Sequence, residues 1–122
     1  MSSDGDVVHE LLMGEQPFGI IADAIRALTV ERLKFQRLKD VIIEAIDHPP
    51  QPSGEQVELF KAQLPLDGSV RIYLRLSRPL NARLDVIKTD LCRKLGDNCG
   101  VREVVLFCAL SIAQRKENPC KI

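Results

Sequence analysis

Four cysteines lie in the last third of the chain, Cys92, Cys99, Cys108 and Cys120, and two histidines, His9 and His48, lie far from them. Cysteine and histidine together could bind zinc or form a nucleophile–base pair. Zinc ribbons and thioredoxin-type sites need a C-x-x-C pair, and none occurs here. The expectation is therefore reduced thiols, with Cys92 and Cys108 serving as small core hydrophobes. His48 sits in a proline-rich stretch with no carboxylate or cysteine in a motif beside it, so it reads as a loop residue. Gly54, Gly68, Gly96 and Gly100 are isolated, and no G-x-x-x-x-G-K or G-x-G-x-x-G phosphate cradle is present. No serine occupies a nucleophile-elbow or triad context. The sequence thus predicts no catalytic, cofactor-binding or metal-binding residue, no small-molecule substrate, and a protein that is not an enzyme.

A second kind of chemistry is phosphate contact. Lys61, Arg71, Tyr73 and Arg75 would share one face of a sheet if the chain around them forms strands. Such a face could stack a base on Tyr73 and bind phosphates through its cations. Arg32, Lys34, Arg37 and Lys39 form another basic cluster, interspersed with Glu31, Asp40, Glu44 and Asp47. An ordinary solvated face with local ion pairs is the commoner outcome for both groups. The chain carries 17 basic and 17 acidic residues, a formal net charge of zero, which weighs against a dedicated nucleic-acid binder. The charges are unevenly placed, however. Residues 1–16 hold four acids and no base, whereas residues 69–94 hold seven bases against two acids.

The elements that must position these groups are read from periodicity. Val70, Ile72, Leu74 and Leu76 alternate with Arg71, Tyr73 and Arg75, the pattern of a half-buried strand. With Asp67-Gly68 as a turn signal, residues 56–78 are expected to form a β-hairpin. A three-residue loop, Leu66-Asp67-Gly68, would pair Leu64 with Val70, Ala62 with Ile72 and Phe60 with Leu74, which puts the apolar groups on one face. Residues 1–4 are expected to fray. Val7, Val8, Leu11 and Leu12 have helical spacing, with Gly14 as a stop. Pro17 suits the first turn of a helix whose stripe is Ile20, Ile21, Ala24, Ile25 and Leu28. Thr29 is a candidate N-cap for a helix over 30–47, separate from its predecessor or kinked off it, with Phe35 and Ile43 off its apolar stripe. His48 to Glu55 reads as a linker.

Asn81 is a candidate N-cap for a helix over 82–95, with Leu84, Ile87, Leu91 and Leu95 on one face, Arg93 and Lys94 in its last turn and Gly96 at its end. Residues 101–113 fit a helix or a strand, and their density of Val, Ile and Phe favours a strand dry on both faces. The tail, 114–122, is polar and expected to be loose.

These elements predict an α+β fold in a single domain, 1–122. A helical part (5–47) leads through the linker (48–55) to a β-β-α-β part (56–113) with a small, largely antiparallel sheet. No segment approaches the roughly 18 apolar residues of a membrane span, and no signal peptide is recognisable, so a cytoplasmic protein without a membrane partner is expected. Surplus apolar surface without reactive clusters points to a non-enzymatic protein–protein interaction module: an adaptor, regulator or assembly subunit that forms a homodimer. Phe35, Ile43, Val105 and Phe107 are the candidates for self-association. The alternative is a nucleic-acid-binding regulator using Arg71, Tyr73, Arg75 and Lys61, helped by Arg32, Lys34, Arg37 and Lys39.

Overall fold

A computed structural model describes residues 6–50, 54–63, 66–96 and 99–116. Its elements, in chain order, are β1 (Asp6–Met13), α1 (Glu15–Arg32), α2 (Leu38–Asp47), α3 (Gly54–Lys61), β2 (Val70–Ser77), α4 (Arg78–Leu95) and α5 (Val101–Lys116). The class is α+β, with helices built around a two-stranded antiparallel sheet. The strand partners are distant in sequence: β1 pairs with β2 in a register that runs from Asp6 opposite Ser77 to Met13 opposite Val70.

The order of elements departs from the β-β-α-β expectation at three places. First, the N-terminal stretch is a strand. Its apolar residues suit a helix at i, i+1, i+4 and i+5, but Val7, His9, Leu11 and Met13 also alternate. Pairing with β2 selects that alternation, because it turns Leu11 and Met13 into the core.

Second, the 56–78 hairpin does not form. Residues 54–61 are helical, with Val57 and Phe60 buried one turn apart, and Leu66-Asp67-Gly68 lead into β2. Of the expected partners, Ala62 and Phe60 pair with nothing in β2, and Leu64 lies outside the described residues. A tighter contact replaces the turn. A Cβ on Gly68 would collide with the backbone of Met13 and Gly14, so only glycine lets the two segments approach this closely. The Gly14 N–H donates to the Leu66 carbonyl at 2.8 Å, which continues the β1–β2 junction.

Third, residues 101–116 form a helix. Val104, Val105, Leu106, Phe107, Cys108 and Ala109 are all buried, so α5 is apolar on every side. A helix of that kind must be central, and α1, α2, α3, α4 and β1 all pack against it. Periodicity cannot separate a strand dry on both faces from a helix dry all round. The start signal could: the Gly100 N–H donates to Glu103 Oε1 at 2.9 Å, the reach-back of a capping box. Phe107 meets Phe60 edge-to-face, with ring centroids 5.8 Å apart.

Smaller differences concern the helix ends. α1 runs through Thr29 to Arg32. Thr29 closes the α1–α2 turn instead, accepting the Gln36 N–H on its hydroxyl at 2.9 Å and the Lys34 N–H on its carbonyl at 3.2 Å. α2 begins at Leu38, where the Asp40 carboxylate accepts the Arg37 N–H at 2.9 Å. Ser77, not Asn81, caps α4, its hydroxyl accepting the Leu80 N–H at 3.3 Å. The far end of α4 is as expected: Leu84 and Leu91 are fully buried and Gly96 is left-handed, φ 75°. Residues 114–116 belong to α5 rather than to a loose tail. Residues 1–4, 51–53 of the linker, and Cys120 with the rest of the tail lie outside the described residues.

Candidate docking surface

Among the described residues the sheet is covered on one side only. Leu11, Met13, Leu74 and Leu76 face the helices, while Asp6, Val8, Glu10 and Leu12 of β1 and Arg71, Tyr73 and Arg75 of β2 face solvent. The register puts Glu10 opposite Tyr73, Val8 opposite Arg75 and Leu12 opposite Arg71. Tyr73 is therefore one register step from both Val8 and Leu12. These three are 61%, 50% and 41% exposed. Diagonal ion pairs border them: Arg71 Nε to Glu10 Oε2 at 2.9 Å, and Arg75 Nη1 to Asp6 Oδ2 at 3.7 Å.

β2 thus presents Arg71, Tyr73 and Arg75 together, as the alternation predicted. Lys61 is not with them; it ends α3. The strand that lies beside them was missed, and it changes their electrostatics. Glu10 and Asp6 neutralise both arginines, so this face carries two charges of each sign. β1's strand character was the signal that would also have revealed Val8 and Leu12 as outward-facing.

The expected self-association residues scatter. Val105 and Phe107 are 0% and 1% exposed in the interior of α5, so they are core residues and cannot contact a partner. Ile43 is half-buried on α2. Phe35 alone is fully presented, in the turn between α1 and α2. Arg32, nearby, is engaged by Glu44 at 2.7 Å and Gln36 at 2.8 Å. Lys34, Arg37 and Lys39 surround the same turn with exposed side chains.

Among the described residues no hydrogen bond links a histidine to a cysteine or serine. Cys92 and Cys99 form a disulfide, Cα atoms 5.6 Å apart, rather than remaining reduced, and it joins the end of α4 to the approach of α5. His48, Cys108 and Ser111 line one cavity of about 370 Å³ beside Pro49 and Pro50. Burial pushes the Cys108 thiol up to about 12, so it is protonated near neutrality and is no nucleophile. His9 is half-buried and its Nε2 lies 2.7 Å from Asn81 Oδ1, which fixes the ring between β1 and α4.

A larger open trough of about 690 Å³ runs between the end of α2 and α4, floored by Ile46, Val86 and Ile87. Its Arg83 pairs with Asp47 at 3.6 Å and its Arg93 with Asp90 at 3.3 Å, leaving little charge to hold a ligand. Among the described residues no three His, Cys, Asp or Glu side chains gather as metal ligands would, and no helix is long and apolar enough to cross a membrane. No protein-family model, curated protein or solved structure matches this chain.

Proposed function

We propose that this chain is a non-enzymatic interaction module, an adaptor, regulator or assembly subunit, that self-associates through the open face of its sheet. The observation that supports this reading is the arrangement around Tyr73. An aromatic flanked by Val8 and Leu12 supplies apolar area, and two acids and two bases around it supply both signs. A surface of that composition is complementary to a rotated copy of itself, as a two-fold interface requires. Tyrosine is also favoured at interface centres, because its body is apolar and its hydroxyl can stay hydrated.

Size sets the strength. Eight residues per strand at about 3.3 Å each, on two strands about 4.8 Å apart, give a face roughly 26 Å by 10 Å. That is well below the ~800 Å² that each partner of a stable dimer buries, so the association is weak and reversible. The proposal includes a cytoplasmic location, against which the Cys92–Cys99 bridge weighs, since such bridges persist mainly in oxidising compartments.

Sedimentation across about 1–500 μM, the span of weak interfaces, tests the reading. Wild type is expected to shift from monomer to dimer, and Tyr73→Asp, at a largely solvated position, to stay monomeric with its fold intact. A wild type that stays monomeric throughout, or a variant that dimerises equally well, would overturn it. Nucleic-acid binding ranks second: Arg71, Tyr73 and Arg75 do share the open face, but Asp6 and Glu10 cancel the charge that phosphate contact needs. A filter-binding titration decides, since a phosphate-binding face gives affinity that falls steeply with salt.

A further inference from the structure

The α1–α2 turn carries an apolar pair that is left exposed by the described residues. Leu33 and Phe35 are 90% and 92% exposed, and Val30, one turn back on α1, is 52% exposed. Leu33 also has φ 54° and ψ 40°, the left-handed conformation, and is the only non-glycine residue with positive φ among the described residues. It occupies the C′ position of a Schellman ending, where the Lys34 N–H returns to the Thr29 carbonyl. Glycine or asparagine normally sits there, because a Cβ makes the conformation costly. Leucine therefore strains the backbone and leaves its own side chain in water. The Schellman hydrogen bonds hold the backbone in that conformation, but the leucine side chain, 90% exposed, gains nothing from the described residues, which directs attention to a partner outside them.

The surrounding charge narrows the occupant. From Glu31 to Asp40 the sequence has four bases, Arg32, Lys34, Arg37 and Lys39, against two acids. Asp40 is occupied with the Arg37 N–H and Arg32 with Glu44. Lys34, Arg37 and Lys39 make no ion pair among the described residues. The exposed apolar side chains sit in the turn joining two helices, with a cation between them and two just beyond. A projecting apolar tip within a cationic collar fits a soft, negatively charged boundary better than a shaped protein groove, because the tip can sink while the collar stays at the charged layer.

We infer that this turn docks peripherally on anionic lipid surfaces, with Leu33 and Phe35 inserting and Lys34, Arg37 and Lys39 contacting lipid phosphate and carboxylate groups. The expectation of no membrane partner rested on the lack of a spanning segment, which does not bear on a peripheral tip. The surface is separate from the sheet face and stands without it.

The test is cosedimentation of the full chain with vesicles of phosphatidylcholine containing about a quarter phosphatidylserine, as on a charged leaflet. Wild type should bind these vesicles, bind pure phosphatidylcholine at least tenfold more weakly, and lose affinity as salt rises. Leu33→Gly and Phe35→Ser should each weaken binding about tenfold, and Lys34→Glu with Lys39→Glu at least as much. All these positions are exposed, so an unchanged far-ultraviolet circular dichroism spectrum and a melting temperature no lower than wild type are the accompanying control. Failure of wild type to bind at low salt would overturn the inference. So would undiminished binding by Leu33→Gly and Phe35→Ser, or loss of dimerisation rather than of vesicle binding in those variants, which would place a second copy of the chain at the tip.

Discussion

Leu33→Gly offers a test in which local geometry reverses an ordinary rule. At an interior helix position glycine is about 1 kcal/mol worse than alanine. At Leu33 the backbone is left-handed, φ 54°, which costs a residue bearing a Cβ roughly 1–2 kcal/mol. Glycine removes that cost but adds about 0.4–1 kcal/mol of unfolded-state entropy. The side chain, 90% exposed, contributes almost nothing to the core. The net expectation for Leu33→Gly is stabilisation of about 0.5–1 kcal/mol, or roughly 2–4 °C in Tm for a chain of this size. Leu33→Ala keeps the strain and loses only an exposed side chain, so it should fall within about 0.5 kcal/mol of wild type. Urea unfolding followed by circular dichroism, with unchanged m-values, gives both numbers. Glycine less stable than alanine at this position would refute the reasoning, because it would mean either a right-handed backbone or a side chain packed on the fold.

Three further outcomes follow from the interior and the bridge. Phe107→Ala empties a site at the hub of the core, next to Phe60 at 5.8 Å, and should cost about 3–5 kcal/mol by urea unfolding, a large part of the ~5–15 kcal/mol typical of a domain. Reducing Cys92–Cys99, which closes a separation of seven residues, should lower stability by about 2–3 kcal/mol; matching urea midpoints with and without dithiothreitol would contradict that. Cys108 has its thiol raised from 9.0 to about 12 by burial, so the unfolded chain loses this proton first as pH rises. The thiol's contribution is whole below pH 9 and declines from there to about 12, at up to ~1.4 kcal/mol per pH unit. Cys108→Ala should flatten the fall in stability measured between pH 9 and 11.

Local signals read well from this chain, and partners did not. The stripe Leu84, Ile87, Leu91 and Leu95, the cations Arg93 and Lys94 and the left-handed Gly96 describe α4 because each acts within its own helix. β2 was equally plain, and its alternation put Arg71, Tyr73 and Arg75 outward as observed. What it pairs with was hidden: β1 lies 57 positions upstream from the Met13–Val70 end of the register, and three helices intervene. An adjacent stretch, Phe60 to Leu64, offered a plausible false partner, while Gly68 held the decisive contact with Gly14 out of sequence view. α5 failed for another reason. Its run from Val104 to Ala109 is apolar at every step, so no period survives to distinguish helix from strand, and Val105 and Phe107, candidates for self-association on a strand, are core residues of a helix. Leu33 was invisible because a leucine argues for negative φ, whereas the turn holds it left-handed.

The two proposed surfaces are joined by α1, whose 18 residues at 1.5 Å each separate the end of β1 from the turn by about 27 Å. Neither surface can therefore occlude the other within one chain, and each can be removed alone. Their effects should nevertheless be linked. A dimer carries two apolar tips, and where the two-fold axis turns both toward one lipid surface, the second inserts at high effective concentration. Tyr73→Asp would then weaken vesicle binding while leaving its dependence on phosphatidylserine and on salt in place, whereas Leu33→Gly would leave dimerisation in solution untouched. Linkage adds a reciprocal requirement: vesicles must raise the dimerisation constant by the same factor that dimerisation raises vesicle affinity. Cross-linking the wild type with and without anionic vesicles measures that factor. A factor of one would mean that the two faces act independently and that the tips of a dimer point to different sides.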